Sequence, residues 1–316
     1  MSEALGLLML GVVALLLLLL VLVWGIVWDA RHPRRATAGW ALANGLPAHP
    51  ADVGWSSSDE VWNGVLPAWR VVGNNEAGPT AVFVHGWRRS RIDSMRRAGI
   101  WLPCIRAAWL IDLAGHGDAP PGPTHLGADD VDMIVRFCTD LVEREGPGTR
   151  LLIIGHSLGA ATALRVASLL PRSMLAGAVA FAPYESVLEP ISNRLRRQGL
   201  PAWPAAECST AVLHAICGRE RSTAAAVSSL HAQGVPLLIV GSASDTHIPL
   251  AHVRSVAGPL SDQVIVEPCV SHDAIGTGPT PTADSPTELA VRAFAAKWAR
   301  SRQPSNESAD NAGPAG

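Results

Sequence analysis

The strongest constraint on the fold is the segment "LLIIGHSLGAATALRVASLL" at positions 151–170. Its first four apolar residues predict a buried strand, and the alanine- and leucine-rich stretch predicts a helix that ends at Pro171. Gly155 and Gly159 lie two residues before and after Ser157, where a sharp strand-to-helix turn leaves no room for a Cβ atom. We therefore expect Ser157 at the exposed apex of a strained turn, as a candidate nucleophile. The alternative is a glycine-rich turn with an incidental serine.

Short apolar strands alternate with helices through most of the chain, and there is no internal repeat. The predicted strands lie in "VLPAWRVVG", "TAVFVHG", "RAAWLIDLAG", "LLIIG", "LAGAVAFAP", "PLLIVGS" and "DQVIVEP". The predicted helices lie in "ADDVDMIVRFCTDLVEREG", "LGAATALRVASLL" and "SPTELAVRAFAAKWARS". This alternation predicts an α/β fold with a mostly parallel central sheet and helices on both faces.

The N-terminal segment has the composition of a membrane span. No charged residue occurs from Leu5 to Trp28, and as a helix this stretch would cover roughly 36 Å, against about 30 Å for a hydrocarbon core. Trp24 and Trp28 are typical of the membrane–water interface. The alternatives are a cleaved signal peptide and a buried soluble helix. A signal peptide is disfavoured because "MSEA" has no Lys or Arg and the apolar run is long.

Composition divides the chain into four parts. Residues 1–30 are expected to form one transmembrane anchor, and residues 31–60, rich in Pro, Gly and Ala, a surface linker. Residues 61–300 form the predicted α/β domain. Within it, residues from 184 to about 234 are too long for a simple crossover and predict a helical cap. Residues 301–316 predict a disordered tail.

A serine nucleophile needs a base and an acid, and the order expected after a turn of this kind is Ser, acid, His. Asp245 follows the predicted strand "PLLIVGS", and His272 follows "DQVIVEP". Because the carboxyl ends of parallel strands meet at one edge of a sheet, we expect both side chains on the same edge as Ser157.

Rival residues exist for both roles. His247 and His252 are alternative bases, but they lie in the loop and helix directly after Asp245. Asp262 and Asp273 are alternative acids. Asp273 is poorly placed to orient the imidazole because it is adjacent to His272 in sequence.

An acyl-transfer site also needs donors for a developing oxyanion. The strand in "AVFVHGWRRS" ends at His85-Gly86, so the backbone N–H of Trp87 is expected at the same sheet edge. The N–H of Leu158, at the start of the helix after Ser157, is the second expected donor. His85 is expected to hydrogen-bond nearby backbone and hold this loop.

These motifs resemble the α/β-hydrolase superfamily, from about Val61 to Trp298. The resemblance rests on "FVHGW", "IDLAGHGDA", "IIGHSLGAATAL", "VGSASDTHIP" and "VSHDAIG", in the family's order. "GHSLGAATAL" is especially similar to bacterial serine hydrolases of the esterase and lipase type. The resemblance implies Ser157 as nucleophile, Asp245 as acid and His272 as base.

The resemblance also implies that Asp112 and His116 belong to a structural loop beside the pocket. Two features depart from the family pattern. Ser242 stands three residues before the acid, where a glycine is usual, and the oxyanion loop continues into the basic pair Arg88 and Arg89.

Other charges and thiols carry weaker signals. Eight arginines lie in the oxyanion loop, the segment after it and the predicted cap. They predict either a solvated helical face or contact with anionic lipid headgroups. These residues are Arg88, Arg89, Arg91, Arg96, Arg97, Arg194, Arg196 and Arg197. The five cysteines show no metal-ligand spacing and are interpreted as free thiols, with a Cys208–Cys217 bridge as the alternative in an exported domain. The net charge of −2 gives no sign of a nucleic-acid partner.

The sequence thus predicts a membrane-anchored serine hydrolase that cleaves an acyl ester, a thioester or a related bond, with a lipid-like substrate as one candidate. No metal, nucleotide or haem motif occurs, so no cofactor is expected. A non-catalytic scaffold of the same fold and a peptidase with the same triad are the alternatives. Arg31, Arg34 and Arg35 follow the span and no Arg or Lys precedes it, which favours a cytoplasmic catalytic domain.

Overall fold

The fold is built on one central sheet. A computed structural model describes residues 2–277 and 285–300, with side chains for residues 3–277 and 285–296, so the predicted tail at 301–316 lies outside the described residues. The strands are β1 Ser57–Trp62, β2 Leu66–Val72, β3 Thr80–Val84, β4 Ala107–Ile111, β5 Leu151–His156, β6 Leu175–Phe181, β7 Leu237–Ser242 and β8 Ile265–Glu267.

The strand order is β1-β2-β4-β3-β5-β6-β7-β8. The six strands β4, β3, β5, β6, β7 and β8 pair in parallel in that order. The other two, β1 and β2, are antiparallel to their neighbours. The predicted mostly parallel α/β architecture is therefore confirmed. The sequence did not reveal β1, because this edge strand is exposed or half-buried along its length and has no apolar run. It starts at Ser57, within the segment predicted as linker.

Ten helices lie among the described residues. They are α1 Ser2–Arg31, α2 Ala38–Ala43, α3 Arg91–Ala98, α4 Ala128–Glu145, α5 Leu158–Leu169, α6 Leu188–Arg197, α7 Ala205–Cys217, α8 Thr223–Ala232, α9 Leu250–Ala257 and α10 Pro286–Arg300. Short 3-10 turns occur at Pro50–Val53, Leu102–Cys104, Arg172–Met174, Gly258–Gln263 and His272–Ala274.

The core lies around the middle strands. Every residue of β3, β4, β5 and β6 is buried, as expected for parallel strands covered on both faces. The helix after β5 is rich in Ala, so α5 packs closely on the sheet and is buried along most of its length. This rigid centre holds the turn at Ser157.

The segment between β6 and β7 divides into two parts. Helix α8 contacts α5 and α9 and buries Val227 and Leu230 in the main core, so it is the crossover helix of the sheet. Helices α6 and α7 are the rest of the segment predicted as a cap, 184 to about 234, and the name cap is kept for these two helices. Cys208 and Cys217 lie nine positions apart within α7, about 13.5 Å along the axis, too far for a disulfide; all five cysteines are free.

Helix α1 is partly free and partly packed. Residues from Glu3 to Leu18 are exposed, whereas Val23, Val27 and Ala30 are buried against the domain. Leu19, Leu22 and Ile26 contact the apolar side of the cap. The helix is long and apolar enough to cross a bilayer, with a mean hydropathy of 3.2 in its most apolar window, a property that N-terminal signal sequences share.

Candidate active site

The turn after β5 holds Ser157 in a strained conformation. Ser157 has φ 54° and ψ −116°, a region that residues with a side chain rarely adopt. A Cβ on Gly155 would lie 2.0 Å from the carbonyl oxygen of Gly159, and a Cβ on Gly159 would lie 2.1 Å from that of Val84. Both glycines are therefore required by close backbone approach, which explains the G-x-S-x-G spacing in physical terms.

Asp245 and His272 meet at the same edge of the sheet. Nδ1 of His272 donates a hydrogen bond to Oδ2 of Asp245 over 2.6 Å. The other carboxylate oxygen of Asp245 accepts the backbone N–H groups of His247, at 2.7 Å, and Ile248, at 3.0 Å. Asp245 is buried, so these bonds hold both the carboxylate and the imidazole in one orientation. With Nδ1 protonated, Nε2 of His272 is the nitrogen that can accept a proton.

Two serines that the sequence analysis did not assign join the loops of the acid and the base. Oγ of Ser242 donates to the carbonyl of Val270 over 2.7 Å, and Oγ of Ser244 donates to the same carbonyl over 2.9 Å. Ser242, which stands where the family usually has glycine, therefore has a structural role, because its hydroxyl joins β7 to the segment that carries His272. In the sequence, only the small polar side chains of Ser242 and Ser244 close to Asp245 could have indicated this contact.

Two further histidines surround His272. His156, directly before Ser157, donates from Nε2 to the carbonyl of His272 over 2.9 Å, which ties the base to the serine turn. Its burial lowers its pKa well below the usual value, so it is neutral. The ring of His247 stacks on that of His272 with centroids 5.0 Å apart. Burial and the nearby His272 and Arg197 lower the pKa of His247.

The rival residues occupy other environments. Asp273 forms an ion pair with Arg89, and its backbone carbonyl accepts from Arg97. Burial raises the pKa of Asp273, but Arg89 and the other cationic neighbours lower it by more. The pKa of Asp273 therefore lies below its usual value. His252 lies 3.8 Å from Glu189 of the cap. Asp262 lies in the 3-10 turn Gly258–Gln263.

A second Asp–His pair braces the neighbouring loops. His85 donates from Nδ1 to the carbonyl of Gly86 over 2.8 Å and accepts the N–H of Leu113 at Nε2 over 3.0 Å. Asp112 accepts the backbone N–H groups of Arg91 and Asp118, at 2.7 and 2.9 Å. Both ring nitrogens of His85 are used by backbone groups, so this pair connects the loops after β3 and β4.

The loop after β3, which carries Trp87 and is the candidate oxyanion loop, is packed against the end of α1. The indole N–H of Trp87 donates to the carbonyl of Ala30 over 3.0 Å, and the guanidinium of Arg88 lies 4.3 Å from the centre of the Trp87 ring. Asp29 forms ion pairs with Arg88 and with Arg194 of the cap. Asp29 therefore joins three elements: α1, the oxyanion loop and α6.

Leu158, the second candidate donor, is the first residue of α5, where backbone N–H groups have no partner inside the helix. The Trp87 loop and this helix start lie beside each other, because Gly86 is adjacent to Ser157: a Cβ on Gly86 would lie 3.5 Å from that of Ser157.

Most of the arginines near the site have partners inside the protein. Six of the eight that the sequence analysis singled out form ion pairs with aspartates: Arg88, Arg89, Arg91, Arg96, Arg97 and Arg194. Arg91 and Arg97 are buried, whereas Arg96 is exposed on its helix, as a solvated face predicts. Arg196 and Arg197, at the end of α6, are exposed. Across residues 2–277 and 285–300, no group of three or more His, Cys, Asp or Glu side chains could hold a metal ion.

The comparisons with known proteins agree with this architecture. The model of the alpha/beta hydrolase family matches residues 81–304. The Pyrococcus furiosus esterase Pf2001 is similar in structure, with 18% identity and a TM-score of 0.55 over 77% of this chain and 90% of that chain. A membrane phospholipase A described as a bacterial virulence factor has 16% identity and a TM-score of 0.56, over 91% of this chain and 98% of that chain. No curated protein sequence matches the chain.

At these identities the structural similarities establish the fold alone. The family model spans well over half of the chain, including the turn at Ser157, the Asp245 loop and the His272 loop. The sheet order and the strained serine turn are consistent with that assignment. The protein therefore belongs to the alpha/beta hydrolase family.

Proposed function

We propose that the protein is a membrane-anchored serine hydrolase that cleaves a carboxylic ester, a thioester or a related acyl bond. Ser157 is the nucleophile, His272 the base and Asp245 the acid that orients it. The observation that carries the proposal is the 2.6 Å bond from Nδ1 of His272 to Asp245, beside the strained turn that holds the half-buried Ser157. The fold supports a hydrolase, and the esterase and phospholipase among its structural neighbours favour an ester or lipid substrate.

In the first half-reaction, Oγ of Ser157 attacks the acyl carbonyl carbon while its proton moves to Nε2 of His272. The negative charge that develops on the carbonyl oxygen is stabilised by the backbone N–H groups of Trp87 and Leu158; removal of one such donor typically costs about 3–4 kcal/mol. When the intermediate collapses, the protonated His272 gives its proton to the departing alcohol or thiol, which leaves an acyl-enzyme.

In the second half-reaction, water replaces Ser157 as the attacking group. His272 takes a proton from water as it attacks the acyl carbon, and returns a proton to Oγ of Ser157 when the carboxylic acid leaves. Asp245 stays ionised throughout and stabilises the imidazolium. No redox step or metal is required by these transfers.

A fluorophosphonate probe tests the nucleophile directly. The full chain in detergent should be labelled on Ser157, and Ser157→Ala should abolish labelling. Ser168, in the same helix that follows the turn, provides a matched control, and Ser168→Ala should leave labelling unchanged. A panel of p-nitrophenyl esters, acyl thioesters and amides then separates esterase, thioesterase and peptidase activity. A folded protein without labelling or turnover on the whole panel would favour the non-catalytic scaffold.

The anchor and its orientation are a further part of the proposal. Val23, Val27 and Ala30 are buried against the domain, which supports retention of α1 over its removal as a signal peptide. Arg31, Arg34 and Arg35 after the span favour a cytoplasmic domain. Alkaline phosphatase fused after residue 298 should therefore be inactive and a fluorescent protein fused there should fluoresce. An active phosphatase would place the domain on the opposite side.

A further inference from the structure

The free part of α1 is shorter than a hydrocarbon core. Residues from Glu3 to Leu18 are exposed and would cover about 24 Å along the helix axis, against about 30 Å for the hydrocarbon region of a bilayer. Any tilt shortens the depth that they cover. If the hydrocarbon region around α1 keeps its full thickness, it must therefore extend to the level of Leu19 and the residues that follow it.

At that level α1 is already packed against the cap. Leu19, Leu22 and Ile26 contact a small apolar cluster that includes Leu195 of α6 and Ala206 of α7. Trp24, on the exposed side of α1, lies at the same height with 64% of its surface accessible, as expected of a side chain at the headgroup level. The corner between α6 and α7 consequently stands beside the last part of the span.

This corner presents apolar side chains outward. Trp203 is 75% exposed and Leu200 is 41% exposed, within the sequence "GLPAWP" that connects the two helices. A large exposed indole next to an exposed leucine is costly in water but stable at a bilayer surface, where the ring contacts acyl chains and its N–H stays hydrated.

The charges next to the corner suit the same environment. Arg196 and Arg197 end α6 and are exposed, whereas most arginines near the site form ion pairs with aspartates. Arg196 makes a hydrogen bond to Asn193, and Arg197 bonds to His247, so neither is neutralised by a carboxylate. Their positive charge is complementary to anionic headgroups.

We propose that the corner of the cap from Leu200 to Trp203 is a second membrane contact, which inserts into the interface of an anionic bilayer leaflet beside α1. The inference rests on the proposed function, because it takes α1 as a retained span. It adds that the cap is lipid-bound, so a substrate dissolved in the bilayer reaches the cap without crossing water.

Photo-cross-linking of the full chain in nanodiscs of phosphatidylcholine and phosphatidylglycerol tests the contact. The benzophenone amino acid pBpa replaces Trp203, and mass spectrometry measures lipid adducts after irradiation. We expect adducts at position 203 and at Leu10 in the free part of α1, and none above background at Val61. Val61 is a matched control because it is also strongly exposed but lies on the edge strand β1, outside α1 and the cap.

Adducts at position 10 without adducts at position 203 would overturn the second contact, because the bilayer would then thin around a cap that stays in water. Cross-links from position 203 to another copy of the chain would overturn it in favour of a protein interface. Loss of adducts at both positions would overturn the anchor and the proposal together. None of these readouts depends on catalysis, so failure of the proposed hydrolysis is detected separately.

Activity provides a second measurement. The double variant Leu200→Ser with Trp203→Ser should lower turnover of an ester presented in anionic vesicles about tenfold, since it removes the apolar surface that the bilayer would bury. Turnover of a water-soluble p-nitrophenyl ester should be unchanged. An equal loss on both substrates would contradict a membrane role for the corner.

Discussion

Two Asp–His pairs lie at the carboxyl edge of the same sheet, and they differ in what their imidazoles can do. In the pair of Asp245 and His272, Nδ1 donates to the carboxylate over 2.6 Å, which leaves Nε2 as a base. In the pair of Asp112 and His85, the shortest approach is 3.9 Å, and both ring nitrogens bond to backbone. Proximity of an aspartate to a histidine therefore does not show what the imidazole can do. The hydrogen-bond partners of its two ring nitrogens show whether one nitrogen is left to accept a proton.

Substitution of the two histidines is the most direct test of this comparison. On the proposed mechanism His272→Ala should lower kcat by about 10⁶, the loss that removal of the catalytic histidine causes in a well-studied serine protease. His85→Ala should keep kcat within about tenfold and lower the free energy of unfolding by about 1–3 kcal/mol, since it leaves the buried N–H of Leu113 without its partner. Steady-state kinetics and urea unfolding of both variants measure this. Similar kcat losses in both would show that the two pairs do not differ in role.

The aspartates provide the next largest effect. Asp245→Asn should lower kcat by about 10⁴ with little change in stability, because the amide favours the wrong tautomer of His272. Asp112→Asn should mainly destabilise the protein, by about 1–3 kcal/mol, because an amide can accept only one of the two backbone N–H groups that the carboxylate holds. A nearly silent Asp245→Asn would indicate that Asp273 or another acid orients the base.

The pH dependence of stability tests the structural role of the histidines around Asp112. Burial lowers the pKa of His116 to about 3, and burial also lowers the pKa of His85. Below pH 6.5 the unfolded chain binds protons that these folded histidines do not, so stability falls as the pH decreases. For His116, whose folded pKa is about 3, the loss is about 1.4 kcal/mol per pH unit well below pH 6.5. His116→Gln should reduce this slope by about that amount between pH 6.5 and 5. An unchanged slope in urea unfolding at several pH values would exclude His116 as a source.

The smallest expected effect concerns how α1 supports the loop that begins at His85. Asp29→Ala removes the ion pairs with Arg88 and Arg194 that hold the Trp87 loop, so kcat for a water-soluble ester should fall about tenfold while KM changes little. Asp29→Glu should recover part of the loss. Asp132→Ala is the matched control, because it removes an exposed ion pair with Arg221 that involves neither α1 nor the Trp87 loop. Equal activity of Asp29→Ala and the control would show that α1 does not position the loop.

Local sequence patterns were sufficient for several features. The glycines around Ser157, the apolar strand before it and the alanine-rich helix after it predict the serine turn, because each follows from steric rules that act within a few residues. The alternation of strands and helices predicts the parallel sheet in the same way. The order of Ser157, Asp245 and His272 along the chain restricts the partners, and the uncharged run of α1 shows a potential span.

Other features depended on residues distant in sequence. Asp273 is adjacent to His272, yet its carboxylate pairs with Arg89, whereas Asp245 contacts the imidazole from 27 positions away. The hydroxyls of Ser242 and Ser244 join the acid loop to Val270, and Asp29 joins α1 to the oxyanion loop and the cap. Nothing in the local sequence around these residues marks their partners.

Periodicity and backbone sterics within single elements are therefore enough to predict the fold class, the serine turn and the short set of candidate partners. They do not predict which carboxylate contacts which imidazole, which arginines pair with aspartates or how far α1 packs against the cap. These outcomes depend on hydrogen bonds and ion pairs between side chains brought together from distant parts of the chain, and directional contacts of a few ångströms exist only once the sheet and its loops are assembled.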